Sequence, residues 1–89
     1  MMEGRGVSKV ETGEAIKVLA SFAPNKIRIH FFGWRGRVYR VESFNLFHIS
    51  ADETEKLYHF AVSSTGNSYQ LAFSPRTLHW RLISVNQVW

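Results

Sequence analysis

The stretch KIRIHFFGWRGRVYRV, residues 26–41, decides the fold of this chain. Two runs rich in β-branched and aromatic residues flank the dipeptide Arg35-Gly36. A dipeptide that ends in glycine is typical of the tight turn of a β-hairpin, because glycine readily adopts the positive φ angle that such a turn needs. The sequence therefore predicts a hairpin whose two-residue turn sets three cross-strand pairs, Trp34 with Arg37, Phe32 with Tyr39 and His30 with Val41.

The same register predicts how the side chains of the hairpin divide between the two faces of a sheet. One face receives His30, Phe32, Trp34, Tyr39 and Val41, and the other receives Ile27, Ile29, Phe31, Val38, Arg40, Glu42 and Phe44. Both faces are partly apolar. We therefore expect a strongly bent sheet that curls over its own core.

Alternating apolar and polar residues recur on both sides of the hairpin. After it come LYHFAVSS (57–64), SYQLAF (68–73) and TLHWRLISV (77–85), which are separated by turn signals. Before it, AIKVLASFA (15–23) alternates as a strand does, but its apolar residues also fit a helical spacing, so both structures stay open there. The chain is predicted to be all-β or mainly β, as an antiparallel meander of about six strands that forms a curled sheet or small barrel.

The chain is long enough for one domain with one core, at 89 residues with 45% hydrophobic residues. Residues 1–13 contain three glycines and no periodic pattern. We expect these residues to form a flexible N-terminal arm, and residues 14–89 to form a single β domain.

Several chemistries find no support in the sequence. The chain has no cysteine, which excludes disulfides and cysteine-ligated metals, and none of its serines lies in a Gly-x-Ser-x-Gly motif. Its four histidines fall in different predicted strand segments and never in a His-x-His or His-x3-His spacing. We therefore expect no enzyme activity, no catalytic residue, no metal site and no cofactor. With no signal segment and no long apolar run, we also expect a cytoplasmic protein that does not enter a membrane.

Positive charge is concentrated around the hairpin. The net charge is +4, and six cationic residues between positions 17 and 40 have no Asp or Glu among them. Such a run is typical of a surface that faces a polyanion, although a solvated face explains it as well. The first functional hypothesis is a nucleic-acid (DNA) interface in which the cations contact phosphates and an exposed tryptophan stacks on a base. Its candidate residues are Lys26, Arg28, Trp34, Arg35, Arg37 and Arg40.

The alternative hypothesis is a module for protein interaction or self-association. The chain contains seven phenylalanines and ends in ISVNQVW, so its apolar surface can exceed what one small core hides. An unpaired edge strand could pair with a protein partner or with a second copy as a homodimer.

The segments FFGWRGRVYRV (31–41), STGNSYQLAF (64–73) and LHWRL (78–82) resemble a small, uncharacterised bacterial domain family. Its members show a Phe-x-Trp-x-Gly-Arg-x-Tyr-x-Val hairpin, a Gly-x-Tyr-x-Leu strand and a closing Trp-x-Leu, and related segments end inactive translesion-polymerase-like proteins. The likeness spans about residues 27–85, and this chain departs from it at Gly33 and at Phe47, where a tryptophan is usual. The resemblance implies a β fold and a DNA-associated role, and it implies no catalytic residue.

Overall fold

The fold is a single curled sheet of antiparallel strands without a helix in the residues described, 7–88, of a computed structural model. The order of the strands across the sheet is β3-β2-β1-β7-β6-β5-β4. This confirms the predicted all-β, curled antiparallel architecture, and residues 15–23 are strand, not helix. The strands are β1 (Val7–Ala23), β2 (Lys26–Trp34), β3 (Arg37–Arg40), β4 (Ser43–Ala51), β5 (Lys56–Ser64), β6 (Asn67–Ser74) and β7 (His79–Val88).

The hairpin of β2 and β3 has the predicted register. Trp34 pairs with Arg37 and Phe32 pairs with Tyr39. Arg35 and Gly36 both have positive φ angles, 51° and 77°, which are typical of the type I′ turn that matches the twist of a two-stranded ribbon.

A β-bulge at His30 changes the predicted assignment of side chains to faces. Opposite β1, Leu19 pairs with Phe31 and Ala20 pairs with Ile29, so His30 is an extra residue that has no paired residue in β1. The extra residue shifts the alternation by one, and Ile29 is buried together with Phe32. The prediction that Ile27 and Ile29 lie on the face opposite Phe32 and Trp34 is therefore wrong, as is the placement of His30 beside Phe32.

The long β1 strand joins the two parts of the sheet. Residues 7–16 pair with β7, and residues 17–23 pair with β2. Residues 7–13, which we expected in a flexible arm, thus belong to the sheet, while residues 1–6 of that expected arm lie outside the described residues. Gly13 has a φ of 70° at an irregularity in the pairing, and Thr12 Oγ1 donates to the carbonyl of Leu82 at 2.6 Å. Gly13 therefore allows a bulge within the strand. From the sequence alone, the glycines of this segment are interpreted as a sign of flexibility.

Residues 37–51, after the turn, form two strands, β3 and β4, and the sheet has seven strands where about six were predicted. The N–H of Val41 donates to the carbonyl of His30 in β2, and the next N–H, of Glu42, donates to Ser63 in β5, both at 2.9 Å. The chain therefore crosses from one edge of the sheet to the other between these two residues. The sheet has to curl into a half-barrel for a link this short to span its edges.

The core lies on the concave side of the curled sheet. Phe32 stacks on Tyr39 and meets the edge of Tyr69, with both pairs of ring centroids 5.0 Å apart. The ten residues of the buried cluster come from β2, β5, β6 and β7 and are Ile29, Phe32, Phe60, Val62, Tyr69, Leu71, Phe73, Trp80, Leu82 and Val85.

Replacing Phe32 tests this assignment of faces. Phe32 is 1% exposed, so we expect Phe32→Ala to lower the free energy of unfolding by about 3–5 kcal/mol, measured by urea denaturation followed by circular dichroism. Val38 is the matched control on the neighbouring strand, because its side chain is 76% exposed. Val38→Ala should change the free energy of unfolding by no more than about 0.5 kcal/mol, and equal losses for both variants would contradict the assignment.

Candidate nucleic-acid interface

The six candidate residues fall into two groups in the structure. Trp34, Arg35 and Arg37 lie at the turn of the β2–β3 hairpin, whereas Lys26, Arg28 and Arg40 are exposed along the strands. Of the second group, Arg28 and Arg40 lie on the convex side of the sheet. The candidates predicted from the sequence therefore include residues with two different surroundings.

At the turn, Trp34 and Arg35 are bound by Glu14 of β1. The indole Nε1–H of Trp34 donates to one carboxylate oxygen of Glu14 at 3.0 Å, and Arg35 Nη2 donates to the other at 2.7 Å. The guanidinium of Arg35 also lies over the Trp34 ring, 4.7 Å from its centroid. Trp34 is partly buried and packs against the core, so its ring has contacts within the chain on several sides.

The charged groups at this turn shift each other's pKa values. The hydrogen bond from Arg35, and after it the one from Trp34, holds the pKa of Glu14 below its ordinary value of 4.5. The same carboxylate raises the pKa of Arg35. Arg37 stays beside the hairpin, with its guanidinium 5.8 Å from the centroid of the Tyr39 ring. This turn is a structural clamp, and its cations are largely committed to neighbours in the chain.

The convex side of β1, β2 and β3 brings other residues together, and we call it the outer face. The strand register aligns Lys17 with Gly33 and Val38 in one row, and Leu19 with Phe31 and Arg40 in the next. A third row joins Ser21 to Arg28. Neighbouring rows on one face lie two residues apart, so the outer face comprises Lys17, Leu19, Ser21, Arg28, Phe31, Gly33, Val38 and Arg40.

Phe31 lies in the middle row of this outer face. Its side chain is 38% exposed, and it stands between Leu19 and Arg40 in the register. Lys17 and Arg28 belong to the rows on either side. An aromatic ring that is reachable from solvent is thus surrounded by three cationic residues, which is the combination that stacking and phosphate contact require.

No carboxylate lies between residues 15 and 41. The two acids that flank this segment have contacts elsewhere, since Glu14 binds the hairpin turn and Glu42 accepts a hydrogen bond from the N–H of Thr65 at 3.3 Å. Within residues 7–88, the ion pairs are Lys9 with Glu11 and Arg35 with Glu14. In that part of the chain, the cations of the outer face are therefore free of ion pairs.

A cavity of about 780 Å³ adjoins the outer face where β3 ends. Its volume is within the range of ordinary ligand sites. Arg28, Phe31 and Arg40 all contribute to its wall, together with Ile29, His30, Val41, Glu42, Ser43 and Phe44.

Sequence reasoning did not include Lys17 and Phe31 among the candidate residues. Lys17 belongs to the cation run, but only the pairing of β1 with β2 brings it opposite Gly33. Phe31 was expected on the same face as Arg40 and Val38, and this expectation is confirmed. The signal that could have identified Phe31 is therefore its cross-strand position opposite Arg40.

The histidines form two small contacts with polar neighbours. On the outer side of the sheet, His30 Nε2 lies 2.9 Å from Ser21 Oγ, and no carboxylate accompanies this pair in the segment 15–41. His48 and His59 stack with centroids 4.2 Å apart, and His59 Nε2 lies 3.0 Å from Ser50 Oγ. Among the described residues, no three His, Asp or Glu side chains form a group that could hold a metal ion.

Burial, and after it the neighbouring His48, lowers the pKa of His59 from its ordinary value of 6.5. Its Nδ1 atom is buried without a hydrogen-bond partner. Both observations show an environment that favours the neutral form of His59 over the charged form.

Comparison with known protein families, with curated proteins and with solved structures finds no match to this chain. Among residues 7–88, no helix has the length and apolar character needed to cross a membrane. The geometry of the outer face is thus the basis on which a function can be proposed.

The clamp at the hairpin turn predicts an acid titration visible at Trp34. Because the folded pKa of Glu14 is lowered, the stabilising contact is complete above about pH 4.5 and is lost as the pH falls through the lower, folded value. We expect the NMR signal of the Trp34 indole N–H to shift with a midpoint below pH 4.5. The control is Glu14→Gln, which should remove that titration. A midpoint at or above the ordinary value would contradict the clamp.

The stacked histidines predict a second dependence on pH. Below about pH 6.5 the unfolded chain binds more protons than the folded one, because the folded pKa of His59 is lowered. The free energy of unfolding should therefore fall as the pH decreases from about 7.5 to about 5.5, measured by urea denaturation at each pH. In His59→Gln this slope should be smaller. An unchanged slope would show that another group causes the dependence.

Proposed function

We propose that this chain is a binding module for single-stranded nucleic acid and that it binds through the outer face. The observation that carries the proposal is that Lys17, Arg28 and Arg40 surround the exposed ring of Phe31 in a segment, residues 15–41, that contains no carboxylate. Lys26 adds a fourth exposed cation at the start of β2. These residues replace Trp34 and Arg35, which Glu14 engages, as the expected contacts of the ligand.

The cations of the outer face supply the part of the binding that does not depend on the nucleotide sequence of the ligand. A lysine or arginine that neutralises a phosphate releases a condensed counterion, so the affinity falls as salt increases. Lys17, Arg28 and Arg40 lie in three successive rows of the sheet, which lets them contact a backbone that runs across the strands. The absence of carboxylates in the segment 15–41 reduces the repulsion that phosphates would otherwise meet, and Glu42 is the acid in the wall of the adjoining cavity.

The ring of Phe31 favours single strands over duplexes. A base stacks on an aromatic side chain only when its own face is free, and bases in a duplex are stacked on one another. Phe31 points out of a sheet surface, with Gly33 and Val38 in the adjoining row, so the ring is open to a base from the solvent side. We propose binding without catalysis, since the pair of Ser21 and His30 beside the outer face has no carboxylate within residues 15–41 to orient it.

The decisive experiment measures the binding of a fluorescent single-stranded oligonucleotide, and of its duplex, by anisotropy at several salt concentrations. We expect tighter binding of the single strand and a logarithmic salt slope that decreases by about 0.7 for each phosphate contact removed. Arg28→Ala and Arg40→Ala should each reduce the slope by that amount. Arg76→Ala is the control, because it removes the same charge from the exposed turn between β6 and β7.

Variants of Phe31 separate stacking from charge. Phe31→Ala should weaken binding about 5- to 150-fold, as expected for the loss of one stacked base, with an unchanged salt slope. Phe31→Leu keeps an apolar side chain and should show most of this loss. Absence of binding at low salt, or equal affinity of Phe31→Ala and the unsubstituted chain, would refute the proposal.

A further inference from the structure

The two edges of the sheet differ in length and in charge. One edge is β3, which has four residues, RVYR, two of them arginines. The other edge is β4, which has nine residues, SFNLFHISA, and contains no Asp, Glu, Lys or Arg. Natural proteins protect edge strands by making them short or charged. By this criterion β3 is protected and β4 is not.

The exposed side chains of β4 are unusually apolar for a surface strand. Leu46, Phe47 and Ile49 are 45%, 43% and 46% exposed. Leu46 and Ile49 pair with Phe60 and Tyr58 of β5, so they lie at the rim of the concave face, where those residues pack. Phe47 is the extra residue of a bulge and packs beside His48 and His59 on the other face. Apolar surface is thus available on both faces of the strand.

The free side of β4 has no strand beside it within residues 7–88. Across the mouth of the half-barrel, β2 is separated from the first half of β4 by a cavity of about 580 Å³, whose wall includes Phe22, Ile27, Phe44 and Leu46. The backbone N–H and C=O groups on that side of β4 therefore form no hydrogen bonds with another strand of the sheet and can pair with a strand from a second molecule. The bulge at Phe47 is the one protective feature on this edge, and regular strand remains on both sides of it.

We propose that β4 pairs with β4 of a second copy of this chain, antiparallel and about a two-fold axis. A second copy offers a strand of the same length with the same lack of charge, so the two edges can meet without repulsion between like charges. The alternative edge, β3, would set two arginines against the apolar side chains of β4. Pairing of β4 with β3 would also leave a free edge on each copy and produce an open chain of molecules, whereas the two-fold pairing closes.

The distribution of charge supports this choice of partner. The cations nearest to β4 lie at its two ends: Lys56 is opposite Ala51 at one end, and Arg28 and Arg40 line a cavity with Ser43 and Phe44 at the other. The middle of β4, residues 45–49, contains no lysine or arginine, so two copies can meet there with little mutual repulsion. The three apolar side chains leave on the order of 300 Å² exposed on each copy. This apolar area alone is below the roughly 800 Å² per partner of a standard interface, so the backbone hydrogen bonds of the paired strands have to contribute, and we expect a weak dimer with a dissociation constant of about 10–100 µM.

Analytical ultracentrifugation over a concentration series tests the proposal. The unsubstituted chain should associate to a dimer and no further, and high salt should leave this association unchanged. Phe47→Lys and Ile49→Lys place a charge on the edge and should give monomers. Leu78→Lys is the matched control, since Leu78 is 70% exposed in the turn before β7, and it should still dimerise. Circular dichroism of each variant verifies that the sheet is intact.

The absence of cysteine in the chain permits a direct test of the geometry. In an antiparallel two-fold pair, a residue near the axis meets its own copy at a Cα separation of about 5–6 Å, which suits a disulfide. Single cysteines at Asn45, Phe47 and Ile49 should therefore crosslink on oxidation, most strongly at the position nearest the axis. A cysteine at Val38, which is 76% exposed on β3, should not crosslink at a comparable rate.

Two results would overturn the proposal. One is a monomer at all concentrations up to about 100 µM, and the other is a dimer that survives both lysine substitutions without crosslinking through β4. The test is independent of nucleic-acid binding, because Phe47 and Ile49 lie outside the outer face. A monomeric Ile49→Lys variant that still binds the oligonucleotide would separate the two properties.

Discussion

Between Arg40 and Ser43 the chain leaves one edge of the sheet and joins the other, and the curvature of the fold depends on this crossing. Consecutive N–H groups of Val41 and Glu42 donate to β2 and β5, which are the strands next to the two opposite edges. The hydroxyl of Ser64 donates to the carbonyl of Arg40 at 2.7 Å, and the hydroxyls of Ser43 and Ser63 lie 2.7 Å apart. A flat sheet of seven strands would separate its edges by about 29 Å, far more than two residues can span. The sheet is therefore held in a half-barrel, with one face enclosed.

Enclosure of one face explains why the composition of the two faces differs around the hairpin. The concave face is mostly apolar, and the bulge at His30 makes this compatible with the sequence by bringing Ile29 to the side of Phe32. The turn and register of the hairpin could be predicted, because Arg35-Gly36 is a local signal. The bulge could not, since strict alternation gives no indication of an extra residue, and its position depends on pairing with a distant part of β1. The strand character of residues 7–13 likewise depends on β7, about seventy residues later.

The candidate site could be predicted only in part, because it too depends on long-range strand pairing as well as on local sequence. A run of cations without carboxylates is a property of the sequence, but whether its members share a face depends on the register of three strands. Arg28 and Arg40 share the outer face, whereas Trp34 and Arg35 are bound to Glu14, a residue of β1 twenty positions before Trp34. No local pattern connects Glu14 to the hairpin. Long-range pairing therefore changed the expected stacking ring from Trp34 to Phe31, although both rings come from the same strand.

The crossing at residues 41–42 also relates the two surfaces that we propose to be functional. It makes β3 and β4 consecutive along the chain while they form opposite edges of the sheet. One edge can then be short and cationic, beside a face suited to phosphates, while the other stays uncharged. Association through β4 would give an assembly with two outer faces, and a strand bound to one would raise the effective concentration at the second. Dimerisation through the uncharged edge can in this way increase the affinity for nucleic acid at the cationic face, although the two surfaces share no residue.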